Sequence, residues 1–235
     1  MLIPLGALEQ HGHHLPLFVD TLQVEAIAER GEKELHDEIL LLPTLWLGCS
    51  HHHLDFPGTV SVVPSLYSQM IRGISECILQ AGFRRLFFLN GHAGNDVPGP
   101  RAILELIVED ERADDAYITF SSWWRVNSEA IAQDKHGMVT GQLTHACEYE
   151  TSMVLFLRPD LVDMDRVNDV PSALTSKWTH TEHGVCGGVS IFRRFHRLTA
   201  PGNMGSPSHA TAENGESITA AVVTEVVAFL TELAA

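Results

Sequence analysis

The stretch Met1-Leu2-Ile3-Pro4-Leu5-Gly6-Ala7-Leu8-Glu9-Gln10-His11 decides the fold class, because an apolar strand breaks at Gly6 and runs into polar side chains capable of chemistry. From Leu22 to Leu35 the apolar residues fall at helical spacing, so the chain opens as strand, loop and helix. Ile39 to Leu47 is a nearly continuous apolar run that suits a strand buried on both faces, and it stops at Gly48 before Ser50-His51-His52-His53. Leu66, Met70, Ile74 and Ile78 predict a helix closing at Gly82. Arg84 to Leu89 then predicts a strand ending in Asn90-Gly91-His92-Ala93-Gly94-Asn95.

Further along, a helix is expected around Ala102 to Glu111, a strand from Ala116 to Ser121 and a helix from Glu148 to Leu157. Pro159 to Pro207 is less periodic, and an Ala/Val-rich helix from about Ser217 to Leu233 closes the chain. Such alternation implies a three-layer α/β/α fold with a mostly parallel central sheet, in which ligands sit beyond the C-terminal ends of the strands. The polar clusters fall there. With 235 residues, no internal repeat and no linker, residues 1–235 are expected to form one domain.

Composition narrows the function. A net charge of −15 opposes attraction to phosphate backbones or anionic membranes, so neither is an expected partner. No membrane-spanning run or secretory leader is read from the sequence, which suits a cytoplasmic protein. Cys49, Cys77, Cys147 and Cys186 show no CxxC spacing and read as buried thiols. The anomaly is fourteen histidines, clustered at 11–14 and 51–53.

Glu9 and His11 lie two apart at a strand end, so extended backbone sends both side chains to one side, where a turn could bring Asp20 to meet them. Carboxylate and imidazole together suit zinc, manganese or iron(II), and a carboxylate such as Asp20 can bridge two ions. His92, in a glycine-rich loop after a strand, is a fourth candidate. The competing reading makes these polar groups loop ties, with Asp20 capping a helix that begins at Thr21.

Gly6-Ala7-Leu8-Glu9-Gln10-His11-Gly12-His13-His14 closely resembles the signature of the creatininase family, and the likeness spans nearly the whole chain. Phe56-Pro57-Gly58-Thr59, Asn90-Gly91-His92, His145-Ala146, Glu150-Thr151-Ser152 and Ala210-Thr211-Ala212-Glu213 follow in order. The resemblance implies two divalent ions, zinc foremost with manganese or iron as alternatives. Glu9 and His92 would bind one ion, His11 the other, and Asp20 would bridge them. It also implies His145 as the proton-transfer group, a role that suits imidazole.

The fifth ligand is left open by a departure. The enzyme that gives the family its name has a glutamate two residues after the loop histidine, where this chain has Gly94. Glu150 is the expected replacement. Glu148 is the rival, on the helix face of His145 and about 200° around the helix from Glu150, and its alternative is a solvated helix residue. His53 and Trp123 are placed as substrate-pocket residues, with packing in the core as the competing reading of Trp123. His13, His51, His52, His136, His180 and His183 are expected at the surface or behind the ligands. Cys147 stands where a glycine is common in the family motif.

The family likeness implies that metal-activated water hydrolyses the C–N bond of a small cyclic amide or formamide. Gly141, Gln142 and Ala93, together with a shorter 48–56 loop, make creatinine a poor guess. The alternatives are C–C hydrolysis of a cyclic ketone on the same site, and metal binding without catalysis. A homo-oligomer, by resemblance a hexamer, is expected. The chain begins within the first strand, without the helical lead-in usual for the family.

Overall fold

The computed structural model describes residues 1–35, 37–141, 143–171 and 193–235. Strands β1 (Leu2–Leu5), β2 (Arg85–Asn90) and β3 (Tyr117–Ser122) form a parallel sheet in the order β1-β2-β3. The helices are α1 (Val19–Glu34), α2 (Pro64–Gln80), α3 (Pro98–Glu109), α4 (Trp123–Val126), α5 (Gln133–His136), α6 (Glu148–Leu157) and α7 (Ala212–Ala234).

Strand side chains alternate between faces, and the two cores follow that alternation. Leu2, Phe87 and Leu89 pack with Val24 and Ile27 of α1, Met153 of α6 and Ile218, Val222 and Val226 of α7. Ile3, Leu5, Leu86 and Phe88 face the other way, against Tyr67, Ile71 and Ile78 of α2 and Ala102, Ile103 and Leu106 of α3. A sheet apolar on both faces must be covered on both, which gives the three layers expected from the sequence.

Residues 39–47 differ from the expectation. They bond in parallel along the outer edge of β1, with Leu42 N donating to Leu2 O at 2.9 Å and Gly6 N to Leu45 O at 2.8 Å. Pro43 has no N–H to continue a ladder, so only isolated bridges form. Leu40 and Trp46 are about half exposed there, so the run is an edge and not a strand buried on both faces.

The closing helix starts at Ala212, earlier than its apolar pattern suggests, because the Thr211 side chain caps it by accepting from Asn214 N at 3.1 Å. By length and composition α7 is apolar enough to cross a bilayer, contrary to the sequence reading that found no such run. One face of it, Ile218, Val222, Val223, Val226 and Leu230, packs into the core, while most of the helix is exposed or half-buried. Gly215 lies against the Ser152 carbonyl with no room for a Cβ, which lets α7 pack closely on α6.

Leu5, Asn90 and Ser122 lie level in the sheet register, so the loops after all three strands leave from one edge.

Candidate metal centre

After β1 the chain folds back, with Glu9 N donating to Leu17 O at 2.7 Å, and this turn carries Glu9 and His11 into the interior. Nδ1 of His11 donates to the Glu9 carbonyl at 3.1 Å, and its Nε2 faces the Asp20 and Glu150 carboxylates. Tying one ring nitrogen to a carbonyl is how proteins aim the other at a metal.

Asp20 sits in the first turn of α1 without capping it, so the capping role is not what its side chain does. Its Oδ1 lies 3.2 Å from Nε2 of His11 and its Oδ2 2.9 Å from Nδ1 of His92. A Cβ on Gly91 would stand 2.6 Å from the Asp20 carbonyl, so glycine there permits the close approach of the β2 loop to α1. Asn90 fixes that loop: its Nδ2 donates to His92 O at 2.7 Å and to Ser122 Oγ at 2.9 Å, and its Oδ1 accepts from Asn95 at 3.1 Å.

Glu150, on the first turn of α6, brings Oε1 to 3.9 Å from Nε2 of His11, and its Oε2 accepts from Ala146 N. Ala146 adopts φ 51°, a left-handed conformation that this bond and the packing around it hold in place. Glu148 points elsewhere. It is buried, contrary to the solvated reading, and its carboxylate accepts from Val139 N at 3.0 Å and Thr140 N at 2.6 Å.

Glu9 Oε2, His11 Nε2 and Asp20 Oδ2 are buried without hydrogen-bond partners among the described residues. His92 faces Glu9 Oε2 at 3.4 Å and Asp20 Oδ2 at 2.9 Å, and His11 Nε2 faces the acceptor Asp20 Oδ1 at 3.2 Å, all off the hydrogen-bonding angle. Burial and Asp20 push the Glu9 carboxyl up to about 7, against the pull of His92 and His11. Burial opposes charge on His11 as well, yet the Asp20, Glu150 and Glu9 carboxylates outweigh it and raise the imidazole to about 10. His92 is raised to about 9 in the same way by Glu9 and Asp20. Burial acts to raise Asp20, but His11 and His92 hold it well below the usual carboxylate range. Glu150 rises to about 7 through burial, opposed by His11.

Three buried carboxylates around two imidazoles, with orphaned donor atoms aimed at one space, fit divalent cations better than they fit one another. His11, Asp20 and Glu150 bring potential ligand atoms within 4.8 Å of one another, and so do Glu9, His52 and His92.

His145 and His53 stand beside this cluster. Nε2 of His145 donates to the Gln10 carbonyl at 2.8 Å, and its Nδ1 faces Glu9 Oε1 at 3.6 Å. Gln10 is the hub. Its side-chain amide donates to Gly202 O at 2.8 Å and to Nδ1 of His53 at 2.7 Å, while its Oε1 accepts from Gly12 N at 2.9 Å. His53 is then neutral, its pKa held well below normal by burial and by His145, with Nε2 turned toward Glu9 at 3.4 Å. Phe195 stacks on His53 with ring centres 4.1 Å apart.

These residues surround a cavity of about 170 Å³ whose wall also includes His52, Trp124, Leu143, Arg193, Phe195, Leu198 and Met204. Trp123, expected in the pocket, lies instead in the core with Leu2 and Phe87, and Trp124 takes the wall. A helical turn begins at Trp123, directly after the strand end, and it sets Trp123 into the core, the competing reading of this residue. Sequence reasoning also missed His52. The signal was present in the Ser50-His51-His52-His53 run but could not say which ring turns inward. His13 is exposed and His51 and His136 are half-buried, while His180, His183 and Gln142 lie outside the described residues. A larger hollow of about 600 Å³ opens at the other end of the sheet beside Met1 and Arg85, without a comparable convergence of ligands.

Residues 1–230 match the family model described as creatininase, creatinine amidohydrolase. The chain is 32% identical over 228 residues to the creatinine amidohydrolase of Pseudomonas putida, covering 93% of this chain and 83% of that one. It is 30% identical over 240 residues to the mycofactocin precursor peptide peptidase of Mycobacterium tuberculosis, covering 97% and 82%. Among solved structures, a mutant creatininase of Zn-Zn type superposes with a TM-score of 0.81 at 30% identity, covering 98% of this chain and 89% of that one. A manganese creatininase does so at 0.80 and 30%, with the same coverage. The chain therefore belongs to the creatininase family of metal-dependent hydrolases, which act on C–N bonds.

Proposed function

We propose that this chain holds two divalent ions and hydrolyses the C–N bond of a small cyclic amide or formamide. In this reading Glu9 and His92 hold one ion, His11 and Glu150 the other, and Asp20 spans both. The observation that carries it is the Asp20 carboxylate, one oxygen toward His11 and the other toward His92, among buried donor atoms that have no partner of their own. Zinc is the first choice and manganese the second, since solved relatives of both kinds share the fold. Bound ions would supply a lowered pKa for water and stabilisation of the oxyanion that develops on a carbonyl.

The chain's own residues supply position and protons. His145, its Nε2–H held on the Gln10 carbonyl, offers Nδ1 to take a proton from the attacking water and pass it to the leaving nitrogen as the C–N bond breaks. Neutral His53 presents Nε2 next to Glu9, and the apolar walls of Trp124, Leu143, Leu198 and Met204 exclude water around a substrate limited by about 170 Å³.

A second reading, cleavage of a peptide C–N bond, is favoured by the likeness to the M. tuberculosis peptide peptidase. A panel of lactams, formamides, short peptides and cyclic diketones, assayed with zinc, manganese and iron, separates these readings. Turnover of a lactam or formamide supports the proposal. Turnover of peptides alone favours the second reading, turnover of diketones alone favours C–C hydrolysis, and turnover of none leaves metal binding without catalysis.

We also propose a homo-oligomer. Leu104, Ile107 and Val108 of α3 and Tyr117 of β3, the outer strand of the sheet among the described residues, are exposed large apolar residues, as a subunit interface requires. Light scattering at micromolar concentration tests this, and a monomer would refute it.

A further inference from the structure

We infer that His52 is a ligand of the ion at Glu9 and His92, and that it closes that ion's shell, leaving the open coordination position on the ion at His11 and Glu150. The inference rests on the two-ion reading above. His52 lies on the cavity wall, and its ligand nitrogen is within 4.8 Å of ligand atoms on Glu9 and His92. Metal–ligand bonds of about 2.0–2.2 Å place ligand atoms about 3–4 Å apart, so a small ring movement completes the set.

The surroundings fix His52 in that place. Its ring stacks on His92 at 5.9 Å with only 20° between planes and meets the edge of His53 at 4.3 Å. It belongs to the single turn His51–His53, in which His53 N donates to Ser50 O at 2.9 Å. Ser61 Oγ anchors the turn, bonding Ser50 N at 2.7 Å and Nδ1 of His51 at 2.7 Å. Opposite lies Gly94. A Cβ at that position would run into Cys49 O and Nε2 of His92 and come to 3.1 Å from Cε1 of His52. The loop after β2 therefore presents bare backbone where the His52 ring sits, and a larger residue at 94 would have to displace it.

The consequence is asymmetry. With His52, the first ion has two imidazoles, Glu9 and one oxygen of Asp20, four protein ligands that suit a closed tetrahedral site. The second ion has His11, Glu150 and the other oxygen of Asp20, three ligands that leave a position for water or substrate.

The test uses the folded chain reconstituted with cobalt(II), read by metal analysis and by visible absorption, in which four-coordinate cobalt absorbs far more strongly than five- or six-coordinate cobalt. The wild type is expected to bind two ions with one strong four-coordinate band. His52→Ala should weaken one ion by about 10-fold or more and lose that band, and free imidazole should restore it, as a merely structural defect would not allow. His13→Ala, whose ring is exposed outside the site, should keep both ions and the band. If His52→Ala does not fold, His52→Asn serves in its place. Two ions with an unchanged band in the His52 variant would overturn the inference. A wild type that binds fewer than two ions would instead defeat the two-ion reading beneath it.

Discussion

Oδ2 of Asp20 lies 2.9 Å from Nδ1 of His92, while the other oxygen of the same carboxylate reaches His11 at 3.2 Å. One buried anion thus spans the loops that leave β1 and β2. Asp20→Asn removes the anion and gives one side a neutral amide, so both ions should be lost together. Metal analysis checks it, and full metal content in the variant would make Asp20 a structural tie only.

Glu150 and Glu148 are both buried but face different partners, and their substitutions should separate. Glu150→Gln is expected to weaken one ion. Glu148→Gln should keep both ions and cost roughly 1–3 kcal/mol of stability, because a charged acceptor of the Val139 and Thr140 amides is lost. Metal content and denaturant unfolding of the two variants decide it, and the reverse pattern would transfer the ligand role to Glu148.

His145→Ala should retain both ions and lower kcat by roughly 10² to 10⁴ on whichever substrate the panel identifies. Loss of an ion in this variant would make His145 a ligand, a role open to it because Glu9, His11 and His145 also bring ligand atoms together.

His14 gives a pH prediction independent of turnover. Its Nε2 meets Thr151 Oγ1 at 3.0 Å, and burial, with His11 and His13, lowers its pKa to about 4. The unfolded chain protonates this histidine near its ordinary value of 6.5, so the unfolded state binds more protons between those values. Stability is therefore lost as pH falls through this window, by on the order of 2 kcal/mol at pH 5. His14→Gln should reduce the loss between pH 7.5 and 5 in metal-free protein. An unchanged pH dependence of the unfolding free energy would contradict it.

Apolar alternation and strand-ending glycines made the sheet legible, since Leu2, Ile3, Leu86 and Phe87 divide between two cores as period two requires. The run 39–47 misled because its composition suits a buried strand, whereas Pro43 and its place outside β1 make it an edge. At the site, the motif residues Glu9, Asp20, His92, His145 and Glu150 line one cavity, and His11 joins them beside Asp20 and Glu150. What could not be read was the direction of neighbouring side chains. Trp123 against Trp124, and His52 against His51, differ by one position, and a single helical turn at each place decides which of the pair faces inward. Glu148 looked solvated because its partners are backbone amides, which a sequence does not display. Phe195 comes from distant chain, and no local pattern marks it.

The most direct test of the central claim is elemental analysis of the chain purified without chelator, with protein concentration fixed by amino-acid analysis. Two divalent ions per chain, zinc foremost, is the expected result. Well under one ion per chain, unchanged after incubation with zinc or manganese, would contradict it.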